Sequence, residues 1–279
     1  MTVKLLAVDY EKVNERGVFS PGDVLSGKVT LVTSKEIKAQ CFSVKAKGRA
    51  KVTWCEREGR SGVVHSDKKR YFHLEHIILQ DKNKGDGSEI ISAGRNVYPF
   101  AFVMPNMDMP SSYDGKWGNV TYSVRAKLTQ SIWLVHKAGT DFPFLTKSEF
   151  PFASKTEMMI IGLKMGVKQG DALGVSLEVV NDSARTVTPR FYLCEKQTFA
   201  AQSARMVHTD NFLFGTGECV PAQASRTVTM VLSVPPDLPP TFFNCCLMKL
   251  EYRLKVLTFS FVFMFIWSRS FLRSLWQRT

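Results

Sequence analysis

The sequence has no Cys-x-x-Cys pair, no low-complexity tract and no apolar run of the ~18–20 residues that a membrane-spanning helix needs. Its six cysteines (Cys41, Cys55, Cys194, Cys219, Cys245 and Cys246) are scattered, and no apolar segment follows Met1-Thr2-Val3-Lys4. A secreted disulfide scaffold is therefore not expected, and the expected compartment is reducing and cytosolic. In that setting the sequons Asn119-Val120-Thr121 and Asn181-Asp182-Ser183 are chance matches. Catalytic signatures are missing as well. There is no Gly-x-Ser-x-Gly elbow, no phosphate-cradling Gly-rich loop before a helix, and no carboxylate pair in surroundings that would tune the two apart. Gly215-x-Gly217 lacks the third Gly and the helix of a dinucleotide site. No catalytic residue, metal ligand or cofactor is expected.

Negative charge is the scarcer sign. Against 37 Lys and Arg stand 25 Asp and Glu, a net charge of +12 with pI near 9.5. Such a chain attracts anions, whether acidic or phosphorylated peptide, an anionic leaflet or nucleic acid.

What the sequence does contain is strand periodicity. From Asn119 to Leu128, Val120, Tyr122, Val124, Ala126 and Leu128 fall on one side, and Thr121, Ser123, Arg125 and Lys127 on the other. That period of two predicts a strand with one buried face. Tyr98 to Pro105 precedes it across a loop from Asn106 to Gly118. Further strands are expected over Lys4–Tyr10 and, after the turn Ser20-Pro21-Gly22-Asp23, over Val24–Leu31. The run Phe42–Trp54 places Phe42, Val44, Ala46, Gly48, Ala50, Val52 and Trp54 on one face and Lys45, Lys47, Arg49 and Lys51 on the other. Gly59–Arg70 and Gln80–Gly94 are polar and are expected as long exposed connections.

The second half repeats the first. Gly22-Asp23-Val24-Leu25 is echoed by Gly170-Asp171-Ala172-Leu173. Val120-x-Tyr122-x-Val124 is echoed by Leu250-x-Tyr252-x-Leu254, each preceded by a Pro-containing loop. No amphipathic helix interrupts either half, so the expectation is an all-β chain built as a duplicated β-sandwich. Residues 1–155 form the first, 156–256 the second, and 257–279 an atypical apolar and basic tail. That tail reads as a buried strand with a basic amphipathic end or as a membrane-inserting segment.

Smaller features carry bland readings. His73 and His76 lie three apart and would face opposite sides of a strand, so they and His65 are expected as surface histidines rather than metal ligands. Of Cys245 and Cys246, one is expected to face the core, against a lipidation reading. Pro236-x-x-Pro239 fits a polyproline ligand, but Pro105 and Pro110 in the first half favour a shared interstrand loop.

With the duplication in hand, the residues resemble the arrestin family, and within it the α-arrestins. The resemblance rests on Phe19-Ser20-Pro21-Gly22-Asp23-Val24-Leu25-Ser26-Gly27-Lys28-Val29, Lys35-Glu36-Ile37-Lys38, Tyr98-Pro99-Phe100-Ala101-Phe102, Pro110 to Gly118, and Val179-Val180-Asn181-Asp182-Ser183-Ala184-Arg185, in that order. It implies two tandem immunoglobulin-like, arrestin-type β-sandwiches, no enzyme activity, and a cytosolic adaptor that meets receptor or transporter cargo at the plasma membrane and endosomes. It also implies ubiquitin-ligase recruitment through Pro-Pro-x-Tyr motifs. Here Pro235-Pro236-Asp237-Leu238 and Pro239-Pro240-Thr241-Phe242 lack the Tyr. Against the family pattern, the strand before the second Gly-Asp turn reads as shortened or missing, and the Phe-rich tail after Val256 leaves the second sandwich incomplete at an edge. The expected partner-binding residues are Lys45, Lys47, Arg49 and Lys51, facing an acidic cargo segment or an anionic membrane surface. A nucleic-acid-binding sandwich and a tail-anchored protein are the rival readings.

Overall fold

A computed structural model describes residues 2–58, 61–80, 89–146, 157–161, 165–168, 170 and 172–257, and every regular element among them is a β-strand. Two compact units divide the chain. The first comprises Met1–Ser148 with Phe199–Arg205 and Asn244–Met248. The second comprises Glu149–Thr198, Met206–Phe243 and Lys249–Thr279. In the first half lie β1 (Val3–Tyr10), β2 (Val24–Thr33), β3 (Ile37–Ala39), β4 (Cys41–Glu58), β5 (Ser61–Gln80), β6 (Glu89–Ile91), β7 (Gly94–Val103), β8 (Tyr113–Asp114), β9 (Gly118–Thr129) and β10 (Val135–Phe142). The second half adds β11 (Glu157–Ile161), β12 (Met165–Lys168), β13 (Ala172–Asn181), β14 (Arg190–Ala201), β15 (Ala204–Thr216), β16 (Ala224–Ser233) and β17 (Met248–Leu257).

The alternation read from the sequence is the packing observed. Phe42, Val44, Ala46, Ala50, Val52 and Trp54 of β4 are buried, as are Val120, Tyr122, Val124, Ala126 and Leu128 of β9. These two strands sit side by side in a sheet ordered β10-β9-β4-β5, with β8 paired to β9. Facing it is the sheet β1-β2-β7. Rings bridge the layers: Phe42 meets Tyr98 at 5.2 Å and Tyr10 meets Phe142 at 6.1 Å, both edge to face. Pro99 has no amide to donate, and it is tolerated in β7 because β7 is an edge strand. Gly48 is paired to Phe72 on one side and Tyr122 on the other. A Cβ there would lie 2.7 Å from each ring, so the missing side chain is what lets the two aromatics meet over the strand.

The repeat is conserved down to single hydrogen bonds. Gly22 and Gly170 adopt φ of +84° and +83°, a left-handed conformation that glycine enters without strain. Gly22 donates its amide to Met104 O and Gly170 to Val234 O. In each half the following strand pairs antiparallel with the strand ending at that carbonyl, β2 with β7 and β13 with β16. Tyr122 donates its hydroxyl to Pro110 O at 2.6 Å, and Tyr252 donates to Pro239 O at 3.0 Å. The Pro236-to-Pro239 segment is thus the counterpart of the loop around Pro110. Asn181 is fully buried, with its Nδ2 within 3.0 Å of the carbonyls of Arg185, Val220 and Pro221. That sequon nitrogen is consumed inside the fold.

Two expectations need correction. Residues 61–70 are not a loop but the first half of β5, which pairs with β4 along its length. Their polarity misled the reading because β5 is the edge of its sheet, where charge blunts edge-to-edge association rather than marking a connection. Within Gln80–Gly94, residues 89–91 likewise form β6, paired with β3. The strand expected as shortened or missing before the second glycine turn is present as two short strands, β11 of five residues and β12 of four, and β11 lies parallel to β17 in a sheet ordered β12-β11-β17-β14-β15. Among the described residues, it is β13 that has a single neighbour, β16, where β2 has two. Phe150-Pro151-Phe152 and the tail from residue 258 onward, including both tail readings, lie outside the described residues.

Candidate anion-docking face

Strand β4 holds Lys45, Lys47, Arg49 and Lys51 on the face opposite its buried side chains, as the alternation required. Lys45 and Lys47 are half-buried, Arg49 and Lys51 exposed. What the sequence did not reveal is what lies beside them. Register places Arg125 of β9 opposite Lys45, Arg70 of β5 opposite Arg49, and Lys68 of β5 opposite Lys51. One strand further, Lys137 of β10 faces Lys127 of β9. Four like-charged cross-strand pairs therefore share one sheet face. Directly opposed like charges destabilise a sheet, so each pair is a cost to folding.

Neutralisation is sparse. Lys45 Nζ lies 3.0 Å from Glu75 Oε1, and Arg125 Nη2 3.8 Å from Asp141 Oδ1. Among the described residues these are the ion pairs on this face. The hydrogen bond from Lys45 holds the Glu75 carboxyl below the usual carboxylate range. Burial, then the cations Lys45, Arg70 and Arg125, push the Lys47 ammonium below the ordinary lysine value. His73, opposite Lys47, is lowered by burial and then by Lys47, Lys45 and Arg70. The cations are the smaller part of both shifts, after burial, and act in the same direction.

The potential is concentrated where β4, β9 and β10 leave a groove of about 490 Å3 lined by Lys45, Lys47, Arg125, Lys127 and Lys137. Gly139 forms part of its wall. A Cβ at Gly139 would come 2.5 Å from Arg125 Cγ, so its absence leaves the guanidinium stem room to lie across β10. The groove offers amine and guanidinium donors, which can hold an anion.

Sequence reasoning found the β4 row but missed Lys68, Arg70, Arg125, Lys127 and Lys137. Arg125 and Lys127 were visible on the outer side of the β9 alternation, yet only the strand order brings them to β4. Lys68 and Arg70 were lost with the loop reading of β5. The remaining candidates stay apart. His65 stacks on Trp54 at 5.3 Å and pairs with Glu56 at 3.3 Å, and no group of three or more metal-binding side chains gathers among the described residues. Cys245 is buried and Cys246 exposed, in the bend ahead of β17. No helix among the described residues is long and apolar enough to cross a membrane.

Comparison with known proteins places this geometry. Residues 7–148 match the profile of the arrestin (or S-antigen) N-terminal domain, and residues 155–260 that of the arrestin C-terminal domain. Human arrestin domain-containing protein 4 is 23% identical over 91% of this chain and 67% of its own length. Arrestin domain-containing protein 17 of Caenorhabditis elegans is 23% identical over 87% of this chain and 65% of its own. Rat thioredoxin-interacting protein is 21% identical over 86% and 66%. The chain thus spans about two thirds of the length of these relatives. With both halves matched in order and the duplicated turns and tyrosines in place, the chain belongs to the arrestin family, on its α-arrestin branch.

Proposed function

We propose that this chain is a non-enzymatic adaptor that holds an acidic segment of a membrane receptor or transporter against the outward face of β4, linking that cargo to endocytic sorting. Arrestin-family membership supports an adaptor-type role. The observation that carries the rest is the set of like-charged cross-strand pairs around Lys45, Lys47, Arg49 and Lys51. Such pairs lower stability when the face is bare, and an anionic partner converts that cost into binding energy. The adaptor works from the cytosol and reaches the plasma membrane and endosomes through its cargo.

The test replaces Lys45, Lys47, Arg49 and Lys51 with Glu and measures capture of acidic cytoplasmic segments of receptors and transporters. Capture falls steeply in the variant, and wild-type capture weakens as salt is raised. Undiminished capture by the four-Glu protein refutes the surface. A gel shift with a steep salt slope and no peptide capture transfers the face to nucleic acid.

A further inference from the structure

The turn joining β9 to β10 inverts the usual chemistry of turns. Corner positions favour Gly, Asn, Asp or Pro, whose backbones or short polar side chains suit a tight reversal facing water. Here the frame is conventional: Leu134 donates its amide to Ser131 O at 3.2 Å and to Ser131 Oγ at 3.1 Å, and Gln130 N donates to Leu134 O at 3.0 Å. The two corners, however, are Ile132 and Trp133, with 80% and 90% of their surface exposed, and Leu134 follows at 48%. Two large apolar side chains, with the half-covered Leu134 beside them, thus stand exposed at a hydrogen-bonded tip. Ile132 and Trp133 are not held by the core, so folding does not account for them.

Charge supplies the rest. Two residues behind the turn on each strand, Lys127 and Lys137 oppose one another, and the groove they line continues to Arg125, Lys45 and Lys47. Strand rise sets the backbones of Lys127 and Lys137 about 7–10 Å behind the apolar tip. That offset is the depth to which an interfacial apolar face sinks at a headgroup boundary. Tryptophan is the residue that favours that layer, and lysines held at the surface are attracted by anionic lipid. A protein pocket fitting the tip would have no use for the lysine pair behind it, whereas an anionic leaflet meets both.

We infer that Ile132, Trp133 and Leu134 insert into the interface of an anionic bilayer while Lys127 and Lys137 engage the lipid headgroups. The inference stands apart from cargo docking, since it requires neither Arg49 nor Lys51. It adds a second, lipid contact to the same unit, which would bring the cation row close to the cytoplasmic base of a membrane protein.

The experiment mixes the full chain with vesicles of phosphatidylcholine containing phosphatidylserine, and with vesicles of phosphatidylcholine alone. Trp133 is read as the difference between wild type and Trp133→Phe. On the anionic vesicles its emission shifts to shorter wavelength and it becomes shielded from an aqueous quencher; on the neutral ones it does neither. The variant I132S/W133S/L134S and the variant K127E/K137E each weaken anionic-vesicle binding on the order of tenfold. The serine variant keeps the wild-type unfolding midpoint and the capture of acidic peptide. The proposal is overturned if the wild-type chain ignores anionic vesicles, if Trp133 stays open to the quencher on bound vesicles, or if the serine variant binds them like wild type. Loss of peptide capture with vesicle binding intact in that variant assigns the tip to a protein partner instead and equally overturns it. Undiminished peptide capture by the four-Glu variant refutes the cargo face without touching this proposal, whose Trp133 readout is taken on the wild-type chain.

Discussion

At the scale of single residues, the two tyrosines show how one interaction is used twice. Each sits in the middle of a strand with its ring buried and its hydroxyl bonded to a proline carbonyl in the preceding loop. Replacing Tyr122 or Tyr252 by Phe keeps the ring and strands the carbonyl, a loss of about 1–3 kcal/mol. Denaturant unfolding of each variant measures it, and a loss of zero at both sites would mean that water takes the hydroxyl's place. The pH dependence follows from the same burial, which raises Tyr122 well above the ordinary tyrosine value. A raised acid stabilises the fold fully below its unfolded pKa of about 10 and loses that contribution as pH climbs above it. Alkaline destabilisation should therefore begin near pH 10 and be smaller in Tyr122→Phe. Both tyrosines were legible beforehand, because a large aromatic between aliphatics at period two has one place to go.

At the scale of the element, β4 combines the best-read and the least-read features of the sequence. Its inner face was read residue by residue, since alternation alone decides it. Its outer face was read as four cations and is in fact the centre of a wider field. Cross-strand neighbours depend on strand order and register, which no local pattern encodes. The polar first half of β5 was lost for a related reason: an edge strand buries little, so composition mimics a loop. Two predictions belong here. Arg49→Glu places a carboxylate opposite Arg70 and turns a repulsive pair into an attractive one. It should raise stability by about 0.2–1 kcal/mol while weakening cargo docking. A variant that docks normally contradicts the proposed face, and one that is less stable contradicts the account of the pair. The second concerns His73, whose protonation is suppressed by burial and by Lys47, Lys45 and Arg70. A bound anion offsets those cations and raises the His73 pKa, so docking strengthens as pH falls through about 6.5. In the free chain the sign is opposite: the depressed histidine contributes stability above that pH and loses it below. Titrations of affinity against pH should show the rise in wild type and its absence in His73→Gln.

At the scale of the whole molecule, the chain is a duplication whose copies have diverged at their margins. The shared parts, glycine turn, paired strands, proline loop and tyrosine, were all visible as echoes. The parallel pairing of β11 with β17 was not, because it joins segments far apart in sequence. The cations concentrate on one sheet of the first unit, and the net charge of +12 is the sum of which that face is the organised part. The most direct test of the central claim is the affinity of an acidic cargo peptide for the full chain at low and at physiological salt, repeated with Lys45, Lys47, Arg49 and Lys51 changed to Glu. The face predicts tight, salt-sensitive binding in the wild type and weak, salt-insensitive binding in the variant. Equal affinity and equal salt dependence in the two proteins would contradict it.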